Sequence, residues 1–179
     1  TDFAKILAIV GMSGAGKTTL IRLLSGYIQP TLGTIEIFDK RHPDSTIFSQ
    51  MGILSESPPL YDELKVGEYL EFIAQIRTVK DRRQSIGRVL ELLDLQNVED
   101  SYISTLSKGF RQRVGLSQAL LHQPAILILD EPFIGLDPMQ KKSLRSTLLE
   151  IAKQSLIILS SHNLDDIEQI ASEILFLEH

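Results

Sequence analysis

The sequence predicts an α/β fold: a core with a mainly parallel sheet between helices, and a helical lobe inserted into it. Three observations carry this expectation. KILAIV (5–10), AILIL (125–129), SLIIL (155–159) and EILFL (173–177) are short, nearly continuous apolar runs, as in strands covered on both faces of a parallel sheet. From about Val66 to Leu121, in YLEFIAQI, IGRVLELLDL and RVGLSQALL, apolar residues instead fall three or four apart, which is helical spacing. A glycine-rich loop, GMSGAGKTT, separates the first strand from the first helix. The expected division is one domain over 1–179 with a helical subdomain at 62–122.

Taken in order, KILAIV is the first buried strand, and TTLIRLLSGY (18–27) is a helix ending near Gly26. TIEIF (34–38) alternates, as a half-buried strand does. SPP at 57–59 and Pro124 bracket the helical stretch, because proline breaks regular structure. The last three apolar runs return to the sheet. There is no internal repeat, low-complexity tract or flexible linker.

The totals narrow the function. A chain of 179 residues with 43% hydrophobic and 23% charged residues suits one globular domain with a substantial core. A net charge of −5 gives no general attraction to nucleic acid or anionic lipid, so no nucleic-acid partner is expected. The absence of cysteine excludes disulfides and thiolate metal sites and fits a reducing compartment. No apolar run approaches the roughly 18 residues of a membrane span. The chain opens on Thr1 and enters a strand almost at once, without the basic start and apolar region of a signal peptide. We expect an N-terminally truncated piece of a longer protein.

Gly11-Met12-Ser13-Gly14-Ala15-Gly16-Lys17-Thr18 matches G-x-x-x-x-G-K-[ST] in full. Glycines allow the tight bend that turns several N–H groups toward one phosphate. Lys17 is expected to reach the outer phosphates and Thr18 to ligate magnesium, with the backbone from Ser13 to Thr19 as cradle. Ligands of parallel sheets sit beyond the carboxyl ends of the strands. There AILIL delivers Asp130 and Glu131, and SLIIL delivers Ser160, Ser161 and His162. Asp130 is placed to hold magnesium, Glu131 to orient or deprotonate the attacking water, and His162 to touch the γ-phosphate. A serine-hydrolase reading of Ser161, His162 and Asp165 lacks the G-x-S-x-G elbow. His42, His122 and His179 are scattered and suggest no metal site. A GTPase reading lacks N-K-x-D. Residues 105–113, TLSKGFRQR, add a serine and a glycine at a helix start, a second anion site with no nucleotide motif beside it.

These residues resemble the ATP-binding cassette (ABC) family, the ATPase subunits of membrane transporters, in order along nearly the whole chain. LSKGF (106–110) resembles the family's L-S-G-G-Q signature, and ILILDEPFIGLDP (126–138) its magnesium-binding strand, catalytic glutamate and following loop. SSHNLDDIE (160–168) resembles the switch-histidine region, and GILSESPPLYDELKVGEYL (52–70) the lid before the helical lobe. The resemblance implies ATP and Mg2+ bound between two subunits meeting head to tail. Ser107 and Gly109 of one copy then cover the nucleotide in the other's glycine loop, and Asp137 links the two sites. Lys17, Glu131 and His162 carry the chemistry. Implied partners are a second ATPase subunit and a transmembrane permease, with SPPLYDELKVGEYL next to the lid as the permease surface. The location implied is peripheral, at the cytoplasmic face of the cell membrane. The lid and LSKGFRQR look most like exporter-type subunits. An alternative is a non-transport ABC ATPase acting on ribosomes or DNA; members acting on chromosomes carry a long coiled coil where this chain has only its helical lobe.

The chain departs from the family at four places. Glu56 stands where glutamine is usual, and we expect it near the metal and the nucleotide. Lys108 and Phe110 depart from the common signature. Phe133 replaces a small hydroxyl residue and is read as packing. Only ten residues precede Gly11, so the aromatic residue that stacks adenine in the family is expected to lie upstream of this sequence.

Overall fold

The structure, a computed structural model, describes residues 5–178. In chain order the elements are β1 (Ile6–Gly11), α1 (Lys17–Leu24), β2 (Ile35–Ile37), β3 (Lys40–His42), α2 (Ser45–Phe48), β4 (Met51–Leu54), α3 (Val66–Ile76) and α4 (Arg82–Leu92). After two short 3-10 turns come α5 (Lys108–Leu120), β5 (Ile126–Leu129), α6 (Pro138–Ile151), β6 (Leu156–Ser161), a 3-10 turn (Leu164–Asp166) and β7 (Glu173–Leu177). His179 lies outside the described residues.

Five strands form a parallel sheet in the order β4-β5-β6-β1-β7. Alternating side chains send β1's Ile6, Ala8 and Val10 into one core and Ile9 into another, as the strand period of two requires. The first core joins the sheet to the helical lobe and α6. The second packs Ile9, Met51, Ile126 and Ile128 beneath Ile21 of α1 and Ile47 of α2. Each fully buried Leu or Ile contributes about 1.5–3 kcal/mol of transfer free energy, which is why continuous apolar runs specify central strands.

EILFL differs from this expectation. β7 is an edge strand, and Ile174, Leu175 and Phe176 are 37%, 42% and 61% exposed. TIEIF also lies outside the main sheet: β2 pairs antiparallel with β3 in a separate ribbon. Phe38 and Asp39 make its two-residue turn with φ of 53° and 57°, the left-handed pair that suits a tight hairpin. Helix α1 ends where expected. Gly26 takes φ 73°, and the N–H of Tyr27 reaches back to the carbonyl of Arg22, closing the last turn as glycine-terminated helices do.

Candidate active site

Neighbouring strands β1, β6 and β5 bring three chain segments to one sheet edge. The glycine loop runs from the end of β1 into α1, whose N-cap is Gly16 at φ 95°. A side chain there is strained, and the space in front is open: no atom lies within 4 Å of the position a Cβ would take. Gly11 is small for another reason. A Cβ would sit 2.7 Å from the carbonyl oxygen of Leu177, so β7 passes too close for any larger residue. Lys17 is buried and folds back on its own loop, donating to the carbonyls of Gly11 at 2.7 Å and Met12 at 3.1 Å.

Asp130 and Glu131 follow β5 and are 5% and 9% exposed. Ser160, at the end of β6, ties them together. Its hydroxyl donates to Asp130 Oδ1 at 2.6 Å and accepts the Glu131 N–H at 2.9 Å. Glu131 itself takes φ 50°, a left-handed conformation that costs a non-glycine residue about 1–2 kcal/mol. Its carboxylate lies 3.7 Å from Lys17 Nζ through Oε1 and 2.8 Å from His162 Nδ1 through Oε2. At the strand end, Ser160 carries no sign of this role in the sequence. Nothing in its residue type distinguishes it from Ser161, whose hydroxyl instead serves the backbone of Asn163.

An open cleft of about 420 Å³ is lined by Ser13, Gly14, Gly16, Lys17, Thr18, Thr19, Glu56, Glu131, Ile134 and His162. Ile134 was not foreseen, since nothing in an apolar loop residue marks it as a wall. Gly11, Met12 and Ala15 belong to the loop but not to the cleft wall, and Met12 is 82% exposed. Glu56 is exposed and also borders the adjoining groove, which reaches Thr18 and Asp130 between α1 and the lid.

Ser107, Gly109 and Asp137 lie outside the cleft. Ser107 is the exposed N-cap of α5 and accepts the N–H of Phe110 at 3.4 Å. Gly109 is buried: a Cβ would meet the Gln140 side chain at 2.6–3.0 Å. Asp137 caps α6, accepting the N–H of Gln140 at 2.9 Å while Gln140 Oε1 accepts the N–H of Asp137. One glutamine thus joins the cap of α6 to the tip of α5. The neighbouring Lys108 side chain lies across Gly135.

Among the described residues, no group of three or more His, Asp or Glu side chains could hold a metal ion unaided. Thr18 Oγ1 and Asp130 Oδ1 do sit 3.5 Å apart beside the cleft. Two hard oxygens with room for phosphate and water suit magnesium, which retains water and shares its shell with phosphates. The residues therefore fit a nucleotide-borne Mg2+.

Sheet order, glycine loop and acid pair define a phosphate-loop NTPase. The family model described as ABC transporter matches residues 3–134. The bacitracin transport ATP-binding protein BcrA of Bacillus licheniformis is 39% identical over 173 residues, covering 94% of this chain and 56% of BcrA. An uncharacterized ABC transporter ATP-binding protein of Bacillus subtilis, YxlF, is 34% identical over 175 residues, covering 97% of this chain and 58% of YxlF. A solved ATP binding subunit of an ABC transporter superposes with a TM-score of 0.86 at 31% identity, covering 99% of this chain and 76% of that one. The chain belongs to the ABC transporter family. It spans a little over half the length of these curated relatives, 56% and 58%.

Proposed function

We propose that this chain binds and hydrolyses ATP with Mg2+ as the engine of a membrane transporter, and that the working unit is a head-to-tail pair. One observation carries the reading. Lys17, Thr18, Glu56, Glu131 and His162 share a cleft, whereas the Ser107 tip stands exposed outside it. A helix N-terminus with free N–H groups is an anion site without an anion in its own chain; a second copy supplies one.

Lys17 and the glycine-loop N–H groups hold the phosphates. Thr18 and Asp130 hold magnesium, which when bound supplies positive charge against the phosphate oxygens. Glu131 accepts a proton from the attacking water, and His162, hydrogen-bonded to it, faces the γ-phosphate. Glu56 brings a carboxylate to the cleft rim, where a metal ion offsets its charge. Asp137, at the head of α6, lies on the surface that meets the partner.

The membrane subunit is assigned to the segment next to the lid. Tyr61, 46% exposed, stacks edge-on with Tyr69 and Phe72, and Ile76 and Tyr102 lie open beside the same helical lobe. Arg111 of α5 bonds Asp62 and the carbonyl of Ile103, so this surface is tied to the Ser107 tip. No described helix is long and apolar enough to cross a membrane; the location assigned with the membrane subunit is peripheral, at the cytoplasmic face. The name of BcrA puts bacitracin-like peptides first among substrates to test.

Ser107→Arg in the full-length protein tests the pairing. Steady-state hydrolysis falls at least tenfold, while ATP affinity of the isolated subunit changes less than twofold. Hydrolysis at the wild-type rate overturns the shared site.

A further inference from the structure

Glu131 and His162 sit on two arms that leave neighbouring strands, joined at the base where Ser160 accepts the Glu131 N–H and at the tips, where the two side chains lie 2.8 Å apart. The His162 side chain is 54% exposed, so apart from its bond to Glu131 its place depends largely on the backbone that carries it.

That backbone is gripped from below by α6. Asp166, four residues beyond His162, is 6% exposed. Lys141 Nζ lies 2.8 Å from both of its carboxylate oxygens, and Arg145 Nη2 lies 3.4 Å from Oδ1. Arg145 also donates to the carbonyls of Asp166 at 3.0 Å and Asp165 at 3.1 Å. Lys141 and Arg145 are one helical turn apart, so they present one basic face. The same Arg145 guanidinium stands 5.9 Å from the ring centroid of Phe133, two residues beyond Glu131 and 2% exposed. Arg145 therefore touches both arms. Phe133, where the family more often has a small hydroxyl residue, supplies an aromatic face for that cation.

Building on the reading above, we propose that Asp166, held by Lys141 and Arg145, is a positioning residue that sets His162 against Glu131 for ATP hydrolysis. A buried carboxylate with two cationic partners has one well-defined place, and the 3-10 turn that contains it is short enough to transmit that place to His162. Nucleotide capture by the glycine loop does not use this contact, so turnover and affinity separate.

The test uses the full-length protein with Asp166→Asn, His162→Ala and the double variant, measuring kcat, KM for ATP and thermal stability. Asp166→Asn lowers kcat at least tenfold with KM within twofold. The double variant is no slower than His162→Ala alone, within twofold, because Asp166 acts through the histidine. Should Asp166→Asn fail to fold, Arg145→Lys keeps the charge and loses the two carbonyl bonds; it lowers kcat at least threefold, again without adding to His162→Ala. Losses that multiply in the double variants, or a wild-type kcat in the singles, overturn the positioning role while the assigned function stands. Wild-type kcat in His162→Ala removes the histidine from the reaction, and the positioning role falls with it.

Discussion

Glu131 is restrained by three neighbours. Ser160 holds its N–H, His162 one carboxylate oxygen, and Lys17 approaches the other at 3.7 Å. Lys17 also spends its hydrogen bonds on the carbonyls of Gly11 and Met12. A triphosphate therefore competes with a buried carboxylate for Lys17, and attraction between charges at this range is substantial where water is scarce. Removing that charge has two opposite effects. Glu131→Gln is expected to lose turnover by about 10²–10⁴-fold, the usual contribution of a general base. It is also expected to bind a non-hydrolysable ATP analogue severalfold more tightly, measured by equilibrium titration so that turnover plays no part. Unchanged or weaker binding would show that the Lys17–Glu131 contact does not oppose nucleotide entry. The lysine, acid pair and histidine were legible in the sequence because each follows a buried apolar run. The role of Ser160 was not, since a serine's partners depend on which strands are neighbours.

At the scale of elements, strand order is what the sequence concealed. MGIL of β4 is only four residues long and was absorbed into the lid, yet it pairs with β5 and packs against α5. α6 carries the Asp137 cap and the clamp on Asp166. EILFL read as a buried strand because composition reports apolarity, not which strand ends up at an edge. Glycines show how tightly β4 and α5 fit. A Cβ on Gly52 would lie 2.2 Å from the carbonyl oxygen of Ala119 and 3.0 Å from Leu127 Cδ1 and Pro124 Cγ. Backbone cannot yield as a side-chain end can, so Gly52→Ala is expected to cost about 3 kcal/mol. That corresponds to roughly 6–12 °C in melting temperature for a chain of this size. Gly87, within α4, has nothing within 4 Å of its Cβ position. There alanine gains about 0.5–1 kcal/mol from reduced unfolded-state freedom. Thermal melts of both variants check the pair; equal effects at the two sites would contradict the packing.

Across the whole molecule, two histidines outside the cleft lining are expected to make stability depend on pH. His122, just after α5, joins the lobe to β4: its Nε2–H donates to the carbonyl of Met51 at 2.9 Å, and its Nδ1 is buried with no partner among the described residues. Burial pushes its pKa down and the Arg77 charge adds to this, with the Met51 carbonyl opposing. His42, on the β2–β3 ribbon, is 5% exposed against Phe48, with ring centroids 5.1 Å apart and neither nitrogen bonded among the described residues. Burial lowers its pKa as well, and Asp44 opposes. Both rings titrate near 6.5 in the unfolded chain and lower than that in the folded one. The unfolded state therefore takes up protons first as pH falls. Stability is full above about 6.5 and declines below it until the folded-state values are reached. We expect the melting temperature to drop between pH 7.5 and 5.5, above the range where carboxylates ordinarily titrate. His42→Gln/His122→Gln is expected to show a smaller drop over that interval, even if it melts lower at pH 7.5. An equal drop in the double variant would assign the acid sensitivity to other groups.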